Sequence, residues 1–289
     1  MVVAMDIVIA GGHGKIALRL EALLTQQGHH VRGLIRNPDH AGDLVAAGAE
    51  PLVIDLEVVS ANELAAAIGH SDAFVFAAGA GPGSGPERKW TVDYAGAVKG
   101  MQACRLNGID RYVMISSMGA DPEAPDDGGF NTYLRAKGQA DQKLVESGLA
   151  YTIVRPGGLT DDPGTGRVTA AEHTGRGRIP RDDVAATLAV VLATPGTAGL
   201  TFELMGTHLG PFRGLPPTGK AFTNPTLAIF AFAPGTDRIV CERVYFDSAT
   251  ILRQLGIAHD PLTLRGRLAT VVNHPVTIGR ALGRQLLRR

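Results

Sequence analysis

The chain has 289 residues, with 28 Lys+Arg balanced by 28 Asp+Glu. Zero net charge removes the global attraction to nucleic acid and to anionic membranes, and no run approaches the ~20 apolar residues of a spanning helix. Two cysteines, Cys104 and Cys241, cannot build a disulfide framework, which points to a reducing cytoplasm. The start, MVVAMDIVIAGGHG, carries an early acid and no basic region, so it reads as a buried strand rather than a signal peptide.

An apolar run at 7–10 predicts a first strand, ending in Gly11-Gly12-His13-Gly14. Ile16, Leu20, Leu23 and Leu24 then recur at helical spacing up to Gly28. Residues 30–35 predict a second strand. A helix starts at Asn37-Pro38 and runs to Gly48, and a third strand at 52–54 ends in Asp55. A helix over 61–68 precedes a fourth strand at 73–77, ended by Ala78-Gly79. Further on, the pattern predicts a long helix at 87–107, a strand at 111–115, a helix at 133–147, a strand at 150–154, a helix at 184–192 and a strand at 200–204. Strands apolar on both faces, alternating with helices, indicate an α/β fold whose parallel sheet is covered on both sides.

After Met205 the rhythm changes. Residues 206–220 are rich in Gly and Pro, and 221–233 and 238–246 flank the turn Pro234-Gly235-Thr236-Asp237, an antiparallel hairpin pattern. A helix is expected at 248–255. The tail, 273–289, sets Arg280, Arg284, Arg288 and Arg289 beside Ile278, Ala281, Leu282 and Leu286. It reads as a basic amphipathic helix that packs on its own protein rather than on an anionic membrane. The expected domains are 1–205 and an α+β antiparallel extension, 206–289.

Gly11, Gly12, His13, Gly14, Lys15 and Ile16 lie between the first strand and the first helix. In that context glycines allow a tight turn and bare backbone against a pyrophosphate, while the helix N-terminus supplies N–H groups. Strand two ends in Arg36, where NAD enzymes usually place an acid for the ribose 2′-hydroxyl; an arginine pairs with a 2′-phosphate, so NADP(H) is favoured over NAD(H). Asp55 lies where an adenine ring ends and either accepts from its amino group or caps the following turn.

Eight pieces taken in order, AGGHGKIA (10–17), LIRNP (34–38), VIDLE (53–57), FAAGAG (76–81), VDYAGA (92–97), YVMISSMGAD (112–121), YLRAK (133–137) and YTIVRPGGLTDDPGTG (151–166), resemble the atypical short-chain dehydrogenase/reductase family, an NAD(P)-binding group related to NmrA-like proteins. The resemblance runs from residue 5 to about 205. It implies a Rossmann-type doubly wound parallel sheet and a catalytic Ser117, Tyr133 and Lys137. It also implies cofactor contacts at Leu56, Ala77, Ala78, Gly79, Lys137 (on the nicotinamide ribose) and Pro156, whose neighbourhood meets the carboxamide. Tyr133 and Lys137 are four apart, on one helix face, and an ammonium near a phenol suits it to exchange a proton with a carbonyl or alcohol. The implied function is an NADP(H)-dependent oxidoreductase of a small carbonyl or alcohol substrate, needing no metal. The alternative is a dinucleotide-binding sensor or scaffold without turnover.

Residues 206–256 resemble the last third of a SnoaL-like polyketide cyclase or ester cyclase, without the N-terminal helices that would line its pocket. On that analogy His208 and Asp247 are acid–base candidates, and a cyclase or isomerase activity is a further alternative. The plainer reading makes Asp247 a helix cap and His208 a loop histidine. A partial cone leaves a sheet face to be covered, by the first domain or by a second copy in a homodimer.

Overall fold

The computed structural model describes residues 3–206, except 82, 175 and 176, and the backbone of two later strands. The chain divides into two compact units, Met1–Thr207 and His208–Arg289.

The first unit opens with β1 (Asp6–Ala10), α1 (Lys15–Gln26), β2 (His30–Ile35), α2 (Ala41–Ala46), β3 (Glu50–Val53), α3 (Ala61–Ile68) and β4 (Ala73–Phe76). The expected long helix comes in three pieces: α4 (Pro86–Arg88), a π-helical segment (Lys89–Tyr94) and α5 (Ala95–Asn107). Then follow β5 (Arg111–Ile115), α6 (Phe130–Val145), β6 (Ala150–Pro156), β7 (Gly158–Thr160), β8 (Val168–Ala171), β9 (Arg178–Pro180), α7 (Arg181–Ala193) and β10 (Leu200–Gly206).

Eight strands form one sheet in the order β3-β2-β1-β4-β5-β6-β10-β8. Neighbours are parallel except at the edge, where β8 runs antiparallel to β10. This is a Rossmann-type doubly wound sheet whose strand order reverses between β1 and β4. Strands β7, β8 and β9 are not foreseen by the pattern. β8 is exposed along its length and so carries no burial signal, while β7 and β9 pair only with each other over three residues. Helix α6 starts at Phe130, ahead of the expected 133, which shortens the loop before Tyr133.

Side chains alternate across each strand, so one apolar run supplies two cores. Ile7, Ile9, Val75 and Val113 pack with Leu20 and Leu24 of α1 and Val184 and Leu188 of α7. Val8, Ala10, Phe74 and Phe76 pack with Leu64 and Ile68 of α3, Met101 of α5 and Leu144 of α6. Each large buried side chain contributes about 1.5–3 kcal/mol.

Two helix starts differ in kind. Ser60 and Glu63 close a full capping box at α3. At α1, Gly14 offers no side-chain cap and the first turn holds no acid. No side chain caps its first N–H groups.

In the second unit β11 (Thr226–Phe232) and β12 (Ile239–Phe246) pair antiparallel, as the hairpin pattern predicts, with an irregularity between Ala231 and Phe232. His208, the turn at 234–237, Asp247, the helix at 248–255 and the basic tail lie outside the described residues. Among the described residues no helix is long and apolar enough to cross a membrane.

Glu21 of α1 is fully buried beside Gly12 and Gly33, and neither carboxyl oxygen has a hydrogen-bond partner. Burial pushes its pKa up to about 8, from 4.5. The folded chain therefore holds this proton more tightly than the unfolded chain, and stability falls as pH rises from about 4.5 toward about 8, at up to ~1.4 kcal/mol per pH unit. Glu21→Gln is expected to flatten that decline in urea denaturation across this window; an unchanged pH slope would contradict the assignment.

Candidate active site

The reversal of strand order brings two loops side by side. Ala77 N–H donates to Ala10 O at 2.9 Å, and the N–H groups of Gly11 and Gly12 both donate to Leu34 O, at 3.2 and 2.9 Å. Gly11 has φ +82°, and a Cβ there would lie 2.7 Å from Ala78 Cα. At Gly12 a Cβ would meet Glu21 Oε1 and Gly33 Cα, each at 2.9 Å. The loop must therefore present bare backbone, the cradle a pyrophosphate requires. His13 stacks on His40 with ring centroids 3.6 Å apart, and its Nε2 lies 2.7 Å from Asp43 Oδ2. Lys15 and Arg181 both reach Asp161 at 2.8 Å, tying the start of α1 to that of α7. The Lys15 hydrogen bond leads in holding the Asp161 carboxyl below its usual range.

On the β2 side, Arg36 lies 3.6 Å from Glu57. Glu57 is also held by Arg88 at 2.7 Å and Thr91 at 2.6 Å, and the Arg88 hydrogen bond is the main cause of its lowered pKa. Asp55 Oδ1 accepts the Glu57 N–H at 2.9 Å, so the turn-capping role is present and one oxygen is occupied by it. Leu56 is buried, and its carbonyl accepts from Lys99 Nζ at 2.5 Å.

A cavity of about 1490 Å³ opens beyond these loops. Ile16, Ala77, Ala78, Gly79 and Pro156 line it, and so do Ser117, Tyr133 and Lys137. Gly11, Gly12, His13, Gly14, Lys15, Arg36, Asp55 and Leu56 are not in its wall; the Gly11–Ala78 contact connects the loop to it. Tyr133 is half-buried, with Phe130 at 5.6 Å between ring centroids and Lys89 Nζ 5.5 Å from its own. Among the described residues its hydroxyl makes no hydrogen bond. Ser117 Oγ donates to Met118 O at 3.2 Å. Pro156 O accepts the Met118 N–H at 3.0 Å and keeps a second lone pair.

Lys137 is 4 % exposed. Its Nζ lies 3.2 Å from Asp93 Oδ1, 3.1 Å from Ile115 O and 5.7 Å from the centroid of the Phe76 ring. Burial works to lower its pKa, but the negative charge of Asp93 and the neighbouring Tyr133 outweigh it, and the net shift is upward. The ammonium is therefore retained. Asp93 belongs to the π-helical segment, a feature that recurs at functional sites, and its other oxygen accepts the Ala80 N–H at 3.1 Å. A second buried set lies beneath: Ser116 Oγ and Arg155 Nε converge on Asp141, at 2.9 and 2.8 Å. Burial raises the Asp141 pKa against the opposing pull of Arg155 and Ser116. Sequence reasoning assigned no role to Asp93, Glu57 or Asp141. The first two sit inside VDYAGA and VIDLE, so position within a motif was the available signal.

A family model described as NAD(P)H-binding matches residues 11–195. The chain belongs to the NAD(P)H-binding family. A model described as SnoaL-like polyketide cyclase matches residues 168–255, so that likeness begins at β8 rather than at 206. YhfK of Bacillus subtilis (strain 168), an uncharacterized sugar epimerase, is 39% identical over 201 residues, covering 69% of this chain and 94% of its own. A Bacillus halodurans structure, described provisionally as an NAD-dependent epimerase/dehydratase, aligns with TM-score 0.65 and 36% identity over 74% of this chain and 96% of that one. ChuY, an anaerobillin reductase from Escherichia coli O157:H7, aligns with TM-score 0.59 and 25% identity over 72% of this chain and 100% of that one. The relatives thus combine epimerase-like and oxidoreductase descriptions on one dinucleotide-binding fold.

The Lys137–Asp93 pair yields a stability prediction. Lys137→Met leaves Asp93 buried without its counter-ion and is expected to cost about 3–5 kcal/mol. Adding Asp93→Asn should recover much of that loss in urea denaturation. Simple additivity of the two substitutions would show that the pair does not interact.

Proposed function

We propose that the protein is an NADP(H)-dependent oxidoreductase acting on a small carbonyl or alcohol substrate. The observation that carries this reading is the unengaged Tyr133 hydroxyl, in one cavity with Ser117 and Lys137 and next to the bare glycine loop. That loop and the uncapped start of α1 fit a dinucleotide pyrophosphate. Bound there, the nicotinamide supplies hydride to a carbonyl carbon or accepts it from an alcohol.

The chain's own groups handle the rest. Tyr133 Oη gives a proton to the developing alkoxide in reduction, or takes one from the alcohol in oxidation. Ser117 Oγ, turned from its 3.2 Å bond to Met118 O, would donate its one proton to the substrate oxygen and orient it. Lys137, fixed by Asp93 and Ile115 O, keeps its positive charge in the same cavity as the phenol and would be one of the residues that hold the nicotinamide ribose. Arg36 supports NADP(H): Arg88 shares the charge of Glu57, so the Arg36 guanidinium keeps donors for a 2′-phosphate. The sugar-epimerase name of the 39% relative supports a second reading, in which a bound nicotinamide would take up a hydride from one carbon and return it to the opposite face, with Tyr133 taking and giving back the hydroxyl proton.

Tyr133→Phe removes only the hydroxyl. Turnover of a carbonyl screened with NADPH should fall ~10²-fold or more, the scale of a lost general acid, with little change in NADPH affinity. Wild-type turnover in Tyr133→Phe would overturn the assignment. Net loss of nicotinamide absorbance marks a reductase; substrate isomerised without that loss marks an epimerase.

A further inference from the structure

The charged groups bordering the cavity almost all have partners of opposite sign. Lys137 lies 3.2 Å from Asp93. Arg181 lies 2.8 Å from Asp161. His173 lies 3.9 Å from Glu203. Lys89 is the exception: among the described residues no carboxylate comes within ion-pair distance of it.

Its ammonium is nevertheless held in place. Nζ donates to Gly81 O at 3.0 Å and to Ser84 Oγ at 2.9 Å. Both acceptors are neutral, so they fix the position without cancelling the charge. An ammonium has three hydrogens, and these two bonds leave the third. The Tyr133 ring, its centroid 5.5 Å away, adds a cation–π attraction and sets this charge over the ring that bears the hydroxyl. Phe130 extends the apolar surface next to Tyr133.

We propose that Lys89 anchors a carboxylate of the substrate, so that the compounds handled at Tyr133 are carbonyl acids with a flat apolar body. The inference rests on the reading of Tyr133 as the proton-transfer group. A carboxylate on Lys89 makes a charge-assisted hydrogen bond in a partly desolvated cleft. With the acid held there, the carbonyl is directed to the Tyr133 hydroxyl, and neutral analogues lose the anchor.

The test measures binding. The 2-, 3- and 4-formylbenzoates and their methyl esters are titrated by calorimetry onto the full-length protein saturated with NADP⁺, an oxidised coenzyme with no hydride to consume the aldehyde. At least one acid should bind about tenfold or more tightly than its ester, the scale of a hydrogen bond to a charged group. Lys89→Gln should bring that ratio close to one, and Lys89→Arg should keep most of it. Equal binding of every acid and its ester by the wild-type protein overturns the proposal. A preference that survives in Lys89→Gln also overturns it, as does a Lys89→Gln variant that loses only NADP⁺ affinity. Because no turnover is read, a failure of the Tyr133 assignment appears separately, in the Tyr133→Phe rates.

Discussion

Where β1 and β4 part, two loops can run side by side only because Gly11 carries no side chain. A Cβ there would stand 2.7 Å from the Ala78 backbone, and the residue's φ of +82° lies where side chains are rarely tolerated. The parallel strand order sets this crossing, since β1 has β2 on one side and β4 on the other. The bare loop, the uncapped start of α1 and the cavity wall at Ala77–Gly79 all follow from that placement. The wall reaches the third strand end through Ser117, just past β5, and Tyr133 and Lys137 come from the helix that follows.

Charge is the second constraint. Burying Lys137 is tolerable because the π-helical segment brings Asp93 to it, and Asp141 is tolerable because Arg155 and Ser116 converge on it. The Lys137–Asp93 pair lies in the cavity wall, which Asp141 and Arg155 do not enter. Lys89, by contrast, is positioned by neutral oxygens, with no carboxylate within ion-pair distance among the described residues. The same distinction separates α3, which satisfies its own N-terminus, from α1, which does not.

The sheet was legible wherever burial leaves a mark on composition. The strands at Ile7–Ala10 and Ala73–Phe76 are apolar on both faces because helices cover both, and the glycines between strand and helix mark the loop. β8 was illegible for the opposite reason: its residues are all exposed, and it is held by pairing with the distant β10. Ser117, Tyr133 and Lys137 all entered through a family resemblance, and the spacing of four then set Tyr133 and Lys137 on one helix face. Asp93 and Asp141 were missed because a buried acid reads like any surface acid until its partner is known. Lys89 was missed because nothing in sequence says which lysine lacks a carboxylate. The SnoaL-like likeness was recognised in the sequence but begins earlier than read, at 168, within strands that belong to the first unit.

The account depends most on a dinucleotide lying in the Gly11–Lys15 loop with its nicotinamide toward Tyr133. Trp90, the single tryptophan, is adjacent to Lys89 in the π-helical segment, close in sequence to the cavity wall. Exciting it during titration with NADPH reports on binding of the coenzyme to the protein. The account predicts saturable energy transfer to NADPH, reversed by excess NADP⁺ and reaching saturation at lower concentration than with NADH. No saturable transfer from either coenzyme would contradict it.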